Sequence, residues 1–184
     1  ATNSFGTTTK TITLQVGTVE QGLAEVLDVP AQAVTSSGDL KWVPQWTYAH
    51  DGSDAARSGA ITDLQQSVMT TQVTGPCKVT FYWGVSSEPD YDFLRFYIDD
   101  LEKEAISGEV GWTRQGYLIP AGVHTLKWAY IKDEFTASGL DSGLVDQFET
   151  HLDNDGDGVH SDLETWFGTS DADLSGSPDF AAAE

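Results

Sequence analysis

The chain has 184 residues, of which 39% are hydrophobic, so it can bury the core of one domain and carry small appendages. It has 29 acidic residues against 9 basic ones, and the resulting net charge of −20 would repel phosphates, which excludes nucleic acid as a partner. No segment is long and apolar enough for membrane insertion, and the single cysteine, Cys77, excludes an internal disulfide bond.

The first predicted element is a β-strand in residues 1–18, which we assign to an N-terminal strand and linker. Its apolar residues Ile12, Leu14 and Val16 alternate with polar ones, the periodicity of a strand with one buried face. The segment resembles the last strand of a bacterial immunoglobulin-like or PKD-like repeat. One strand cannot form a sheet alone, so it must pair with its own domain or with a neighbouring one. The residues from Ala1 onward lack the basic, apolar pattern of a signal peptide, and we expect a mature protein or an excised piece.

Residues 19–150 carry repeated strand signals separated by Gly, Pro and Asp turns. Turn residues at Gly75–Pro76 and at Ile119–Gly122 are expected to separate strands. Many short strands with almost no helical periodicity predict an all-β fold, a β-sandwich of the jelly-roll type. Three segments place their large apolar side chains on one face each, namely Val79, Phe81, Trp83 and Val85, then Leu94, Phe96 and Ile98, then Leu126, Trp128 and Tyr130.

Residues 151–184 are acidic and contain a string that fits the twelve-residue calcium-binding loop of an EF-hand. The string DNDGDGVHSDLE spans Asp153–Glu164, and Gly158 at its sixth position permits the sharp turn. A cation that prefers oxygen ligands explains why carboxylates are crowded here, so the loop predicts bound Ca²⁺, with a solvated acidic loop as the alternative. The predicted ligands are Asp153, Asp155, Asp157, the backbone carbonyl of Val159, Ser161 and Glu164.

This loop differs from a regulatory EF-hand. His160 stands at the eighth position, where paired EF-hands usually carry an aliphatic residue, and only one full loop exists. A short helix is predicted after it, because Leu163, Trp166 and Phe167 form a single apolar stripe. Together with this tail the loop resembles the bacterial thrombospondin type 3 repeat, although Gly168–Asp171 departs from it by an inserted Ser. The resemblance implies a structural calcium that stiffens an extracellular segment.

Residues 25–148 resemble a bacterial jelly-roll module related to MAM and carbohydrate-binding domains. The resemblance rests on the strings HDGSDAARSGAI, VSSEPDYDFLRFYIDD, ISGEVGW, AGVHTLKWAYIKD and GLDSGLVDQF. It implies an accessory, non-catalytic protein that is secreted or lies on the cell surface. It also implies a second structural cation near the first and last strands. Its candidate ligands are Glu25, Asp28 and Asp146, and ordinary exposed carboxylates are the alternative interpretation.

We expect no enzymatic activity. The four histidines lack a zinc-binding spacing, and no Gly-x-Ser-x-Gly sequence occurs. Glu88 and Asp92 could be imagined as a glycosidase pair, but both lie in one turn-and-strand segment, which favours a structural role. Aromatic residues in polar, loop-like contexts are instead able to stack on sugar rings. The candidates are Trp42, Trp46, Tyr91 and Trp112, with Asp51, Arg95 and Lys132 as hydrogen-bonding groups.

Two functional hypotheses follow from these features. In the first, the chain is a structural or adhesive unit of an extracellular bacterial assembly, and its N-terminal strand adds to a neighbouring copy to build a filament. In the second, the chain is a carbohydrate-binding module of a secreted polysaccharide-degrading enzyme. The first hypothesis requires the face formed by Ile12, Leu14 and Val16 to pack against another molecule.

Overall fold

The computed structural model describes residues 18–152, which form a nearly all-β domain with one short helix. Every strand pair in this part of the chain is antiparallel, so the predicted all-β class is confirmed. No helix within these residues is long and apolar enough to cross a membrane. The elements are α1 (Val19–Glu25), β1 (Val34–Gly38), β2 (Val43–Gln45), β3 (Ala55–Arg57), β4 (Gln66–Ser86), β5 (Phe93–Ile98), β6 (Leu101–Ser107), β7 (Glu109–Ile131) and β8 (Ser142–Leu152).

Two sequence-based predictions lie outside the described residues. These are the N-terminal strand with Ile12, Leu14 and Val16, and the calcium loop Asp153–Glu164 with its short helix. Both stay predictions.

Two long strands, β4 and β7, run through both layers of the domain. The first half of β4 pairs with β1 and with the second half of β7, and β5 and β6 complete this first layer. The second half of β4 pairs with the first half of β7 and with β8, and β3 and β2 extend this second layer. The hydrogen-bonded order is therefore continuous from β2 through β3, β8, β4, β7 and β5 to β6, with β1 beside β4.

Both long strands bend where they pass from one layer to the other. The bends lie at Gly75–Pro76 in β4 and near Gly122 in β7, and the register of the β4–β7 pair shifts there. A side chain at Gly75 would overlap the carbonyl oxygen of Pro120, so only glycine allows the two strands to approach this closely. The predicted strand ends at these positions are wrong, because each chain segment bends without leaving the hydrogen-bonded ladder.

The core lies between the two layers. The ring of Phe81 in the second layer lies 4.8 Å from that of Phe96 and 5.1 Å from that of Trp128, both in the first layer. These contacts show that the layers pack face to face as a β-sandwich. The predicted inward faces are confirmed, since all ten of their residues are buried: Val79, Phe81, Trp83, Val85, Leu94, Phe96, Ile98, Leu126, Trp128 and Tyr130.

Helix α1 is absent from the sequence-based prediction. It spans seven residues, fewer than two turns, which is too short for helical periodicity to be recognised. Leu23 in the helix and Leu27 after it are fully buried members of the core. The carbonyl oxygen of Leu27 accepts the backbone N–H of Phe148 in β8 at 3.1 Å, which connects this N-terminal segment to the last strand.

Candidate functional site

The loop between β2 and β3, residues 46–54, folds across the outer face of the second layer. The His50 ring stacks on the ring of Tyr82 in β4, with centroids 3.5 Å apart and an interplanar angle of 15°. The carboxylate of Asp146 in β8, which is 1% exposed, accepts the backbone N–H of His50 at 2.7 Å and that of Asp51 at 3.4 Å. The middle of the loop is therefore fixed to the sheet.

The start of the same loop is held by Gln45. Its Oε1 accepts the backbone N–H groups of Thr47 and Tyr48, both at 2.8 Å, and its Nε2 donates to the carbonyl oxygen of Tyr48. One side-chain amide thus satisfies three backbone groups of a turn, which fixes the backbone of Tyr48. The Tyr48 side chain remains substantially exposed.

An open groove of about 390 Å³ lies between this loop and the start of β7. This volume is within the range of small-molecule sites in proteins. Gly84 brings no side chain to the groove, and the aromatic residues Tyr48 and Trp112 both line it. Its lining residues are Thr47, Tyr48 and Ala49 from the loop, Gly84, Val85 and Ser86 from β4, Glu109, Val110, Gly111 and Trp112 from β7, and Leu140 and Leu144.

Among the described residues that line the groove, Glu109 is the one that carries a charge. Ser86 Oγ donates to Glu109 Oε1 at 2.7 Å and accepts the backbone N–H of Leu140, also at 2.7 Å. Gly139 has a φ of 66°, and a side chain there would overlap both Ser86 Oγ and Glu109 Oε1. The carboxylate is therefore held in place by a hydroxyl group and by the backbone packed against it.

The structure separates the four residues predicted to stack on sugars. Trp112 lines the groove and is half-buried, with its ring edge-on to that of His50 at 6.1 Å. Trp46 is 70% exposed and Tyr91 is 59% exposed, but neither lines the groove. Trp42 is fully buried in the core, so it has no ring face to offer a ligand, and its predicted role is wrong.

Two groove residues, Tyr48 and Glu109, were absent from the predicted set. A signal for Tyr48 existed, because it lies in the turn-like string QWTYAHDGS, a context as polar as that of the selected aromatics. Glu109 had no comparable signal, since it is one of 29 acidic residues and its position depends on the distant Ser86 and Gly139.

Lys132, predicted to bind sugar hydroxyls, is buried in an ion network. Its side chain is 1% exposed, and Nζ donates to Asp92 Oδ2 at 2.8 Å and to Asp141 Oδ1 at 2.6 Å. Burial lowers the pKa of Lys132, but the hydrogen bonds to the two carboxylates outweigh it, so the pKa lies above its usual value. The predicted role of Lys132 is wrong, because the ammonium group cannot reach a ligand. Arg95 is likewise outside the groove and pairs with Glu102 at 2.8 Å.

Glu88 and Asp92 belong to a cluster of carboxylates next to this ion network. Ligand oxygens of Glu88, Asp92 and Asp133 lie within 4.8 Å of one another. Burial and repulsion by Asp133 and Asp92 raise the pKa of Glu88. The two oxygens of Asp92 are engaged by Lys132 Nζ and by the backbone N–H of Asp133 at 3.0 Å. Asp92 thus acts as a structural group that connects two loops.

The predicted ligands of a second cation, Glu25, Asp28 and Asp146, do not converge in the same way. Among the described residues, the Glu88 cluster alone brings three ligand oxygens within 4.8 Å. Burial and repulsion by Asp51 raise the pKa of Asp28, so its carboxylate lies in an acidic environment. Burial also raises the pKa of Asp146, although three backbone N–H groups bind its oxygens. The second cation site stays a prediction, and the contacts of Asp146 give it a role in holding the loop.

No family model matches the chain, and no curated protein sequence matches it. Among solved structures, the secreted serine protease VesC from Vibrio cholerae is 12% identical over 73% of this chain and 27% of that chain, with a TM-score of 0.53. The chain therefore corresponds to about a quarter of the protease, and the likeness supports the β-sandwich fold alone.

Two further solved structures are similar at lower scores. The K1 cleaved adhesin domain of Lys-gingipain from Porphyromonas gingivalis is 12% identical over 65% of this chain and 90% of that chain, with a TM-score of 0.48. The CBM22-1 xylan-binding domain of Xyn10C from Paenibacillus barcinonensis is 15% identical over 64% and 83%, with a TM-score of 0.45. At such scores neither similarity transfers a function, so the function has to be argued from the groove itself.

Proposed function

We propose that this protein is a non-catalytic, extracellular module that binds a glycan in the groove between loop 46–54 and the start of β7. The observation that carries the proposal is the pair of aromatic residues, Tyr48 and Trp112, lining one open groove. Aromatic ring faces offer apolar surface to the C–H face of a sugar ring, and nearby polar groups bind its hydroxyls. Thr47, Ser86 and Glu109 supply such polar groups in the same groove.

The support beneath the groove favours binding, because its walls are fixed before a ligand arrives. Gln45 orders the turn that carries Tyr48, and Asp146 anchors the backbone at His50. A preorganised site loses little conformational entropy on binding, so more of the contact energy appears as affinity.

The number of carboxylates that line the groove supports the proposal of binding without hydrolysis. Glycosidases of the usual kind need two carboxyl groups that flank the scissile bond. Among residues 18–152, Glu109 is the one acidic residue that lines the groove. We therefore propose that the groove holds a sugar chain without cleaving it.

Binding to a panel of plant and bacterial polysaccharides, measured by affinity electrophoresis and isothermal titration calorimetry, tests this proposal. We expect Trp112→Ala and Tyr48→Ala each to weaken binding about tenfold or more, roughly the loss of 1.4 kcal/mol of stacking. Tyr91→Ala is the matched control, because Tyr91 is an exposed aromatic residue outside the groove. Wild-type affinity in both groove variants, or an equal loss in the control, would refute the groove as the site.

A structural role in an extracellular assembly is the second candidate function. Strand β6 is a seven-residue strand at the end of the sheet order, so one of its sides has no strand partner within residues 18–152. Such an edge is able to accept an added strand from a neighbouring copy. The segment with Ile12, Leu14 and Val16 remains the proposed donor strand, and secretion to the cell surface is part of both proposals.

A further inference from the structure

We infer that the groove selects uncharged, hydroxyl-rich glycans over anionic ones, and that Glu109 is the residue that determines this selectivity. The inference rests on the proposed glycan-binding function and adds the class of ligand. It follows from the chemistry of one fixed carboxylate, and from the contacts that already occupy basic groups on the same face of the domain.

The first step concerns what the Glu109 carboxylate accepts. An ionised carboxylate has lone pairs and no hydrogen to donate, so it binds hydrogen-bond donors only. Ser86 occupies part of Oε1, and the backbone at Gly139 is packed against the group, so it cannot turn away from a ligand without losing these contacts. Sugar hydroxyls are donors that match it, and adjacent hydroxyls on one ring are able to bind both oxygens.

The second step concerns what a uronate or sulfate group would meet in the groove. In the part of the chain that the structure describes, no lysine, arginine or histidine lines the groove, and Glu109 would repel the incoming anion. An anion that leaves water without gaining a cationic partner loses more solvation than it recovers. A uronate or sulfate group in the groove is therefore disfavoured both by repulsion from Glu109 and by the loss of its solvation.

The third step concerns two arginines and a histidine on the same face of the domain, which already have partners. The Arg57 guanidinium donates to the carbonyl oxygen of Leu140 at 3.0 Å, and that of Arg114 lies 3.5 Å from Glu149. The His50 ring is stacked on Tyr82. An anionic ligand would have to break one of these contacts before it paired with Arg57, Arg114 or His50.

The far side of loop 46–54 adds negative potential. Burial and repulsion by Asp51, Asp28 and Glu25 raise the pKa of Asp54, which shows that these carboxylates interact. Negative charge on the loop that forms one wall of the groove opposes anions most at low ionic strength. Selectivity against anionic glycans should therefore be strongest in dilute salt.

Matched neutral and anionic polymers test the inference. The probes are hydroxyethylcellulose with carboxymethylcellulose, dextran with dextran sulfate, and the neutral polysaccharide that binds best in the panel above with its carboxylated derivative. In 20 mM salt we expect the wild type to bind the neutral member at least tenfold more tightly. In 500 mM salt this ratio should shrink, because the charges are screened.

The isosteric variant Glu109→Gln should reduce the neutral-to-anionic ratio to about threefold or less and should weaken binding of the neutral polymer. Glu102→Gln is the control, since it changes the net charge equally but lies on β6 in the first layer. Melting temperatures verify that both variants are folded, and the salt series on the wild type gives the same test without a substitution.

Two results would overturn the inference while leaving the proposed function intact. One is a wild type that binds anionic polymers as tightly as neutral ones, and the other is a ratio unchanged in Glu109→Gln. A wild type that binds no polysaccharide at all would refute the proposed function and this inference together.

Discussion

Lys132 shows how a single residue organises one end of the sandwich. Its ammonium group lies between Asp92, which precedes β5, and Asp141, which precedes β8, while Lys132 itself follows β7. The Tyr130 hydroxyl donates a further hydrogen bond to Asp141 at 2.7 Å. A buried charge is tolerated only when its partners are in place, so this network fixes the geometry of three loops.

We expect Lys132→Met to lower the free energy of unfolding by about 3–5 kcal/mol, because two carboxylates lose their buried partner. Lys127→Met is the matched control. Lys127 pairs with Asp100, whose side chain is 87% exposed, and such surface pairs contribute about 1 kcal/mol or less. Urea denaturation of both variants measures the difference. A loss in Lys132→Met no larger than in the control would contradict the importance of the network.

The pair His124 and Asp99 makes stability depend on pH. The hydrogen bond between His124 Nδ1 and Asp99 Oδ2, at 2.6 Å, raises the pKa of His124 and lowers the pKa of Asp99. The His124 contribution is complete below the unfolded pKa of about 6.5 and is lost as pH rises through the raised folded pKa. The Asp99 contribution is complete above about pH 3.9 and is lost as pH falls through its lowered pKa.

The pair should therefore stabilise the protein most between about pH 4 and pH 6.5. We expect His124→Gln to be more destabilising at pH 5.5 than at pH 8.5, as measured by urea denaturation at both values. Taking the difference in unfolding free energy between wild type and variant at each pH cancels the contribution of the other titrating groups. An equal loss at both pH values would show that the pair carries no charge-dependent stabilisation.

At the scale of elements, the two bent strands depend on glycine. Gly75 in β4 faces the backbone of Pro120 in β7, where no Cβ fits. We expect Gly75→Ala to cost about 1–3 kcal/mol, the usual range for overpacking a tight contact. The control is Gly116→Ala in β7, because an added Cβ at that position makes only ordinary van der Waals contacts. Chemical denaturation measures both, and equal stability of the two variants would mean that the strands separate easily at the bend.

The faces of the strands could be predicted from sequence, but their lengths could not. Alternation is a local property, and the inward residues of β4, β5 and β7 follow from it. A Gly–Pro pair looks the same in a turn and in a bend, so the sequence predicts a strand end at Gly75–Pro76 where the structure has a bend. The distinction depends on whether a distant segment keeps pairing, which local sequence does not contain.

The candidate site was predictable only in part for the same reason. Trp112 and Trp42 both stand among polar neighbours, yet Trp112 lines the groove and Trp42 enters the core. The exposure of each indole is decided by contacts far away in sequence. Glu109 became distinctive only through its contacts with Ser86 and Gly139.

At the scale of the whole molecule, the net charge of −20 is the dominant property. No lysine or arginine follows Lys132 in the sequence, so the acidic residues of 153–184 have no lysine or arginine nearby in the chain. Repulsion among like charges opposes a compact state unless cations neutralise it. The predicted loop Asp153–Glu164, outside the described residues, would bind such a cation.

We expect Ca²⁺ to bind the intact chain and to raise its melting temperature, since a ligand at 100 times its Kd stabilises by about 2.7 kcal/mol. Chelation should reverse the effect, and Asp153→Ala should abolish the heat of binding in calorimetry. Asp63→Ala removes an equal charge far from the loop in sequence and should leave the titration unchanged. A chain that binds no Ca²⁺ and melts identically with chelator would disprove the calcium site.

The passage of β4 and β7 through both layers has a consequence for how the sandwich opens. Neither layer can detach alone, because the same two backbones hold the hydrogen bonds of both. Amide hydrogens along the whole length of these strands should then exchange through a single global event. Proteases cleave opened forms, so a domain that opens only globally would present few sites to them, which suits the extracellular role proposed above.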